Sequence, residues 1–175
     1  MLNGERFLQM NTETVATSSA AEDAAITIGK ILVPTDFSPA SKKAFSYALR
    51  FAEELGSEIT LLHVLEPETP LTLAGRSVAA VFSEEELADV EESLRALADS
   101  AEAAGVVDTK STVRTGFATH EIVEAAKELD VDLVVIATHG FTGWKHFAIG
   151  STAERVARAA PCPVLVVREK EHDFI

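Results

Sequence analysis

The sequence has few of the features that mark secreted or membrane-spanning proteins. It contains a single cysteine, Cys162, so no disulfide can form within the chain, and we expect a reducing compartment, the cytoplasm. We interpret Cys162, between two prolines and before an apolar run, as a packing residue rather than a redox group. No apolar run approaches the roughly 20 residues that cross a bilayer. No long apolar segment follows a basic start near Met1, so we expect no secretion signal.

Positive charge is also scarce. Fifteen Lys and Arg residues stand against 28 Asp and Glu residues, which gives a formal net charge of −13. Because duplex nucleic acid and anionic membranes attract cationic surfaces, we expect neither as a partner. Hydrophobic residues make up 47% of the 175 residues, which is enough for the core of one globular domain.

The order of apolar patterns predicts an α/β domain. Short β-branched runs alternate with amphipathic stretches from Lys30 onward, whereas Thr, Ser, Ala and acidic residues dominate before it. We therefore predict a flexible extension over residues 1–29, a single domain over 30–168 and a tail over 169–175. The predicted strands are 31–33, 59–64, 106–113, 131–136 and 163–167. Strands joined by crossover helices indicate a parallel sheet that is covered on both faces.

Several predicted helices have recognisable ends. Ser38 followed by Pro39 is typical of an N-cap and a first helical residue, and Gly56 is a typical helix stop. The segments Ser83 to Glu86 and Ser151 to Glu154 each have the pattern of a capping box. The sequence thus predicts helices that begin after Ser38, Ser83 and Ser151.

The most informative segment joins the fourth predicted strand to the helix after it. Ala137-Thr138-His139-Gly140 is followed, nine residues after Gly140, by Gly150-Ser151-Thr152. Glycine permits close backbone approach, and the N–H groups at a helix start can hold phosphate. An ordinary loop followed by a serine N-cap has the same pattern without a ligand, so the spacing leaves both interpretations open. The neighbouring basic residues favour a bound anion; they are Lys145, Arg155, Arg158 and Arg168.

A second polar segment, Pro34-Thr35-Asp36, follows the first predicted strand. In open α/β sheets, ligands bind outside the carboxyl ends of the strands where the strand order reverses. At such a place Asp36 can accept hydrogen bonds from ribose hydroxyls or bind a magnesium-type cation. The same aspartate can instead build the turn before the helix, and the sequence alone leaves both roles open.

Together these segments resemble the universal stress protein family. The resemblance rests on Ile31 to Ser38, Leu61 to Val64, the glycine segment and Pro161 to Val167, in the correct order over about residues 30–168. It implies an adenine-nucleotide α-hydrolase-like fold. In that fold a five-stranded parallel sheet, with strand order 3-2-1-4-5, has helices on both faces.

The resemblance also implies a binding site for ATP or AMP, together with magnesium or manganese. Asp36 is then expected at the ribose or at a metal-bridged phosphate, and the backbone of Val64 at the adenine edge. Apart from this use of Asp36, we expect no metal site made by side chains. The implied nucleotide-binding residues are Pro34, Thr35, Asp36, Val64, Ala137, Thr138, His139, Gly140, Gly150, Ser151 and Thr152.

Ala137 departs from the family pattern. ATP-binding members carry Gly-x2-Gly-x9-Gly followed by Ser or Thr, whereas this chain has alanine at the first position. The added methyl group matters only where the residue needs a positive φ or lies against the phosphate. We therefore expect weaker nucleotide binding rather than none.

The function that the resemblance implies is that of a cytoplasmic, ATP-binding regulator of the stress response, acting as a homodimer. We expect no enzyme activity beyond slow ATP hydrolysis, because no catalytic constellation is visible. The alternative is a nucleotide-free dimeric scaffold of the same family, which Ala137 favours and the spacing from Gly140 to Gly150 disfavours. Members of the family commonly dimerise through the last strand, so the resemblance implies a homodimer that uses this apolar edge. The residues of the edge are Pro163, Val164, Leu165, Val166 and Val167.

Four further residues invite functional readings. We interpret His63 as a partnered histidine at the edge of the core. His139 is a loop histidine that either contacts a phosphate, acts in proton transfer or takes no part, and we favour the last. Trp144 and Phe147 either fold over a nucleotide or anchor the loop and face a partner, and we favour the second.

Overall fold

A parallel sheet of five strands organises the structure. The computed structural model describes residues 27–67, 72–73, 76–77, 82–106, 108–139 and 149–169. In chain order the elements are β1 (Lys30–Pro34), α1 (Pro39–Leu55), β2 (Glu58–Leu65), β3 (Thr72–Leu73), β4 (Arg76–Ser77), α2 (Glu84–Ala103), β5 (Thr109–Thr115), α3 (Ala118–Glu128), β6 (Leu133–Ala137), α4 (Ser151–Ala159) and β7 (Val164–Val167). The short strands β3 and β4 pair with each other in a separate antiparallel sheet.

The order of strands in the main sheet is β5-β2-β1-β6-β7, which confirms the predicted order 3-2-1-4-5. Strand β1 pairs with β2 on one side, where Pro34 is opposite Leu62, and with β6 on the other, where Leu32 is opposite Val134. The chain leaves β1 toward β2 and β5 and then crosses to β6 and β7. The strand order therefore reverses between β1 and β6, where a ligand crevice is expected at the carboxyl ends.

Two apolar layers attach helices to the two faces of the sheet, as predicted. Helices α1 and α2 cover one face, and α3 and α4 cover the other. Strand β6 shows how the residues alternate between them: Val135 and Ala137 lie in the α1/α2 layer, whereas Val134 and Ile136 lie in the α3/α4 layer. Burial of each large aliphatic side chain in these layers contributes about 1.5–3 kcal/mol.

Local sequence accounts for the ends of α1 and α2. The Ser38 Oγ accepts a hydrogen bond from the Ser41 N–H at 3.2 Å, and Gly56 ends α1 in the left-handed conformation with φ 68°. At the start of α2, Ser83 and Glu86 form the reciprocal bonds of a capping box. These caps were predicted, because they depend on residues only a few positions apart.

The predicted capping box at Ser151 is wrong. Gly150 is the N-cap of α4, with φ −60° and ψ 151°, and Ser151 is already the first helical residue. The Glu154 N–H donates to the Gly150 carbonyl at 3.0 Å, so Glu154 lies one position too late to complete a box with Gly150. No described side chain caps this helix.

Strand β5 begins three residues later than predicted. The Val106 N–H donates to the Ala101 carbonyl at 3.1 Å, so Val106 belongs to the turn that ends α2. Its apolar side chain is buried in the core from that position, which explains why the sequence pattern assigned it to the strand.

The two edges of the main sheet differ in character. At the β5 edge, Lys110 pairs with Glu58 at 3.0 Å, and Arg114 pairs with Glu128. At the β7 edge the exposed backbone belongs to an aliphatic strand whose Val164, Leu165 and Val166 are half-buried. Charged side chains on an edge strand discourage pairing with another chain, so the β7 edge is the more suitable of the two for association. None of the described helices has both the length and the apolar character needed to cross a membrane.

Candidate functional site

The turn after β1 is built by its own side chains. The Thr35 N–H extends the pairing with β2 by donating to the Leu62 carbonyl at 2.8 Å. The Thr35 Oγ1 then accepts from the Phe37 N–H at 3.0 Å, and the Asp36 Oδ1 accepts from the Ser38 N–H at 3.1 Å. Asp36 therefore has the turn-building role that the sequence allowed. Its carboxylate is half-buried at the carboxyl end of β1.

His63 holds this turn from the neighbouring strand. Its Nδ1 lies 2.8 Å from the Thr35 carbonyl oxygen, and since a carbonyl only accepts, Nδ1 carries the proton and donates. The His63 ring stacks on Phe37 with a centroid separation of 4.8 Å and an interplanar angle of 21°. Phe37 has φ 64°, an unfavourable conformation for a bulky residue that the surrounding contacts maintain. These contacts confirm the interpretation of His63 as a partnered histidine.

Strand β2 extends beyond the end of β1. The last register pair between them is Pro34 with Leu62, whereas β2 continues to Leu65. The side chain of Val64 packs against the α3/α4 layer, which also contains Ile136 from β6. The extra residues of β2, Val64 among them, thus border the place where the strand order reverses.

Ala137 keeps strand geometry. It is opposite Val167 in the pairing of β6 with β7, it is 8% exposed, and it belongs to the α1/α2 layer. Its methyl group is therefore a buried part of the core, and φ is not positive at this residue. Of the two circumstances in which the alanine was expected to matter, a positive φ is absent; the other, contact with a phosphate, is tested by nucleotide binding of Ala137→Gly.

The segment after β6 closes on itself through the backbone. Buried Thr138 donates its N–H to the Val167 carbonyl at 2.8 Å, and its own carbonyl accepts from the Gly150 N–H at 2.8 Å. A Cβ on Gly150 would lie 2.5 Å from the Thr138 carbonyl oxygen and 3.8 Å from the His139 Cα. Gly150 is therefore required for close packing of backbone on backbone, rather than for a positive φ. The His139 Nδ1 lies 3.0 Å from the Thr138 Oγ1, so this histidine has a partner.

Ser151 and Thr152 form the start of α4 beside this contact. Because no described side chain caps the helix, the N–H groups of its first turn are available to an anion. Of the predicted basic cluster, Arg158 pairs with Glu154 at 2.9 Å on the exposed helix surface, where such a pair contributes little; the role of the cluster beside a bound anion stays a prediction. Gly140, Trp144, Lys145 and Phe147 lie outside the described residues.

Phe117 was missed by the sequence analysis. It is 69% exposed at the N-cap position of α3. The chain beside it is tied to the end of β2, because the Gly116 N–H donates to the Leu65 carbonyl at 3.0 Å and the Ala118 N–H to the Glu66 Oε1 at 2.5 Å. The glycine followed by a helical pattern was the available signal, but only the sheet order places Phe117 beside the end of β2.

The described residues offer little chemistry of other kinds. They contain no group of three or more His, Cys, Asp or Glu side chains arranged to hold a metal ion. The pKa of Cys162 is raised, mainly by burial and further by the nearby charge of Asp132. A raised pKa keeps the thiol protonated and poorly nucleophilic, which agrees with the interpretation of Cys162 as a packing residue.

These features define an open, doubly wound α/β protein with its polar groups gathered at the carboxyl ends of β1, β2 and β6. The model of the universal stress protein family matches residues 27–168. A universal stress protein of Methanocaldococcus jannaschii is 33% identical over 144 residues, covering 82% of this chain and 84% of the relative. The chain belongs to the universal stress protein family.

Solved structures show the same fold. The universal stress protein UspA from Lactobacillus plantarum superposes with a TM-score of 0.68 at 26% identity, covering 82% of this chain and 99% of that one. The universal stress protein from Archaeoglobus fulgidus in complex with dAMP has a TM-score of 0.60 at 21% identity, covering 81% and 99%.

Proposed function

We propose that this protein is a cytoplasmic regulator of the stress response that binds ATP, with magnesium or manganese, and acts as a homodimer. The observation that carries the proposal is the meeting of three polar segments where the strand order reverses: the Asp36 turn, the extended end of β2 at Val64, and the start of α4. Each segment, taken alone, can be explained without a ligand. Their convergence at one end of one sheet is what a nucleotide crevice requires.

The start of α4 is the proposed phosphate end of the site. The first-turn N–H groups of α4 lack a described side-chain cap, and an anion at a helix start gains roughly 0.3–1 kcal/mol from the dipole in addition to its hydrogen bonds. Ser151 and Thr152 add hydroxyl groups at the same place. Gly140, which the resemblance assigns to the same phosphates, stays a prediction.

Asp36 and Val64 are the proposed nucleoside end. The Asp36 carboxylate lies after β1, where it can accept from ribose hydroxyls or bind a cation carried by the phosphates. The backbone of Val64 offers an amide donor and a carbonyl acceptor to the adenine. The dAMP complex of the protein from Archaeoglobus fulgidus supports the choice of an adenine nucleotide only through its shared fold.

Mass spectrometry of the small molecule released when the purified protein is denatured is the direct test. We expect ATP, and we expect isothermal titration of nucleotide-free protein to show metal-dependent ATP binding. Hydrolysis should be slow at most, since no described residues form a catalytic constellation. Protein that neither retains nor binds adenine nucleotide, with either metal, would exclude this function and favour the nucleotide-free scaffold.

Homodimerisation is proposed to use the β7 edge, residues 163–167. The aliphatic edge strand is half-buried, whereas the opposite edge carries paired charges. We expect Val166→Lys to convert a dimer to a monomer in sedimentation at micromolar concentration, and Ser111→Lys on the β5 edge to leave the dimer intact. Thermal unfolding of both variants shows whether they remain folded. A monomeric wild-type protein, or a dimer lost only in Ser111→Lys, contradicts this assignment.

A further inference from the structure

The backbone of Val64 faces the gap left by the end of β1. Along a strand, the N–H and C=O of alternate residues point to opposite neighbours. The Leu62 carbonyl accepts from the Thr35 N–H on the β1 side, whereas the Leu65 carbonyl accepts from the Gly116 N–H on the β5 side. The amide and carbonyl of Val64 therefore point in the same direction as those of Leu62, toward β1.

The regular ladder would continue into the turn. After the bond from the Thr35 N–H to Leu62, the next two bonds of a parallel ladder would join the Val64 N–H to the Thr35 carbonyl and the Phe37 N–H to the Val64 carbonyl. Neither bond forms, although all three residues belong to the described part of the chain. Val64 is thus left without the two partners that its position in the sheet provides.

Two side chains take those partners away. The His63 Nδ1 donates to the Thr35 carbonyl at 2.8 Å, and the Thr35 Oγ1 accepts from the Phe37 N–H at 3.0 Å. The stacking of the His63 ring on Phe37, at a centroid separation of 4.8 Å, holds both arrangements together. Phe37 itself has a positive φ, so the chain leaves extended strand geometry at the residue whose N–H would donate to Val64.

We propose that His63 is a positioning residue that keeps the Val64 N–H and C=O free to pair with the edge of a nucleobase. An amide donor beside a carbonyl acceptor complements adenine, which presents a ring-nitrogen acceptor beside its amino donor. This inference rests on the proposed nucleotide function for its ligand, but the diversion of the ladder is a property of the nucleotide-free protein. A histidine that only packs against Phe37 would leave the state of the Val64 amide unchanged when it is replaced.

The first experiment uses nucleotide-free, 15N-labelled protein. Amide hydrogen exchange is measured by NMR at Val64. The amide of Leu62, which belongs to the regular pairing of β2 with β1, is the internal reference. We expect rapid exchange of Val64 in the wild type and at least tenfold slower exchange in His63→Leu, because the released Thr35 carbonyl then accepts from Val64. His63→Asn should exchange like the wild type, since the asparagine amide can supply a donor in place of Nδ1.

Two outcomes of this experiment overturn the inference. One is strong protection of Val64 already in the wild type, which needs no variant to be observed. The other is exchange of Val64 that is the same in wild type and His63→Leu. Loss of Leu62 protection in His63→Leu identifies general unfolding, in which case the wild-type measurement and the His63→Asn variant decide.

The second experiment compares ATP with inorganic tripolyphosphate, which has no base. We expect His63→Leu to bind ATP about tenfold more weakly, the effect of losing roughly one hydrogen bond, and to bind tripolyphosphate as the wild type does. His63→Asn should restore ATP binding. Equal weakening of both ligands, or of neither, contradicts the positioning role. If the wild type binds no ATP, the proposed function fails. The exchange experiment still tests whether His63 keeps the Val64 N–H from bonding to the Thr35 carbonyl.

Discussion

Replacing Gly150 with alanine should destabilise the protein, although its backbone conformation suits alanine. The φ of −60° is ordinary, and by that criterion the change would stabilise by about 0.4–1 kcal/mol through the unfolded state. However, the new Cβ would lie 2.5 Å from the Thr138 carbonyl oxygen. That oxygen accepts the Gly150 N–H at 2.8 Å, so the contact cannot be relieved without lengthening the bond that closes the segment.

The magnitude follows from these opposing effects. Overpacking costs roughly 1–3 kcal/mol, and a weakened backbone bond about 0.5–1.5 kcal/mol. The net loss expected in the free energy of unfolding is therefore about 1–3 kcal/mol, or roughly 3–10 °C in melting temperature for a domain of this size. Circular dichroism with thermal and urea unfolding measures both quantities.

Gly29→Ala is the matched control. A Cβ on Gly29 would lie 3.5 Å from the Asp132 Oδ2, an ordinary contact distance, so this variant should stay within about 0.5 kcal/mol of the wild type. The reasoning is refuted if Gly150→Ala is as stable as Gly29→Ala. If Gly150→Ala is destabilised as expected, weaker nucleotide binding by it will not by itself demonstrate a glycine contact with phosphate.

Three further predictions concern Ala137, Asp36 and Cys162. Ala137→Gly should lower the free energy of unfolding by about 1–2 kcal/mol, because a buried methyl group is lost and a glycine is placed in a strand. It should change the ATP dissociation constant less than twofold; a clear gain in affinity in titration would show that the methyl group obstructs the ligand. Asp36→Asn keeps an oxygen for the Ser38 N–H but loses the charge, so it should retain the wild-type melting temperature and lose metal-dependent ATP binding. Asp36→Ala should lose the same binding and, in addition, about 1 kcal/mol of stability. Equal ATP binding by wild type and Asp36→Asn would show that Asp36 builds the turn and does not bind the nucleotide. Because burial raises the pKa of Cys162, iodoacetamide at pH 8 should modify the folded protein more slowly than the urea-unfolded protein, and equal rates by mass spectrometry would contradict the packing role.

The sequence predicted those parts of the fold that depend on local patterns. The caps at Ser38 and Ser83 were predicted because donor and acceptor are neighbours in the chain. The strand order came from the family resemblance, and its alternating layers agree with the apolar runs. Ser151 was misassigned because the start of α4 is set by the packing of Gly150 on Thr138, a contact between residues twelve positions apart in the chain.

The finer features of the site depend on how separate segments meet. The position of Asp36 was predicted, but its bond to Ser38 does not distinguish a turn residue from a ligand. The diversion of the Thr35 carbonyl by His63 requires the register of β1 on β2, which apolar patterns do not specify. The burial of the Ala137 methyl depends on which face of β6 meets α1. Family resemblance predicted where the site lies, and only three-dimensional contacts could show how its backbone groups are arranged.

The backbone bonds of Thr138 connect the outer strand to the start of α4. Its N–H donates to the Val167 carbonyl of β7 and its carbonyl accepts from the Gly150 N–H, each at 2.8 Å, so a displacement of β7 is transmitted through a single residue, Thr138, to the proposed phosphate end. In a homodimer joined through β7, assembly and ligand occupancy are therefore linked. By reciprocity, a nucleotide that tightens the dimer by a given factor must itself be bound more tightly by the dimer to the same extent. The edge strand would then act as the part through which one subunit responds to the ligand of the other.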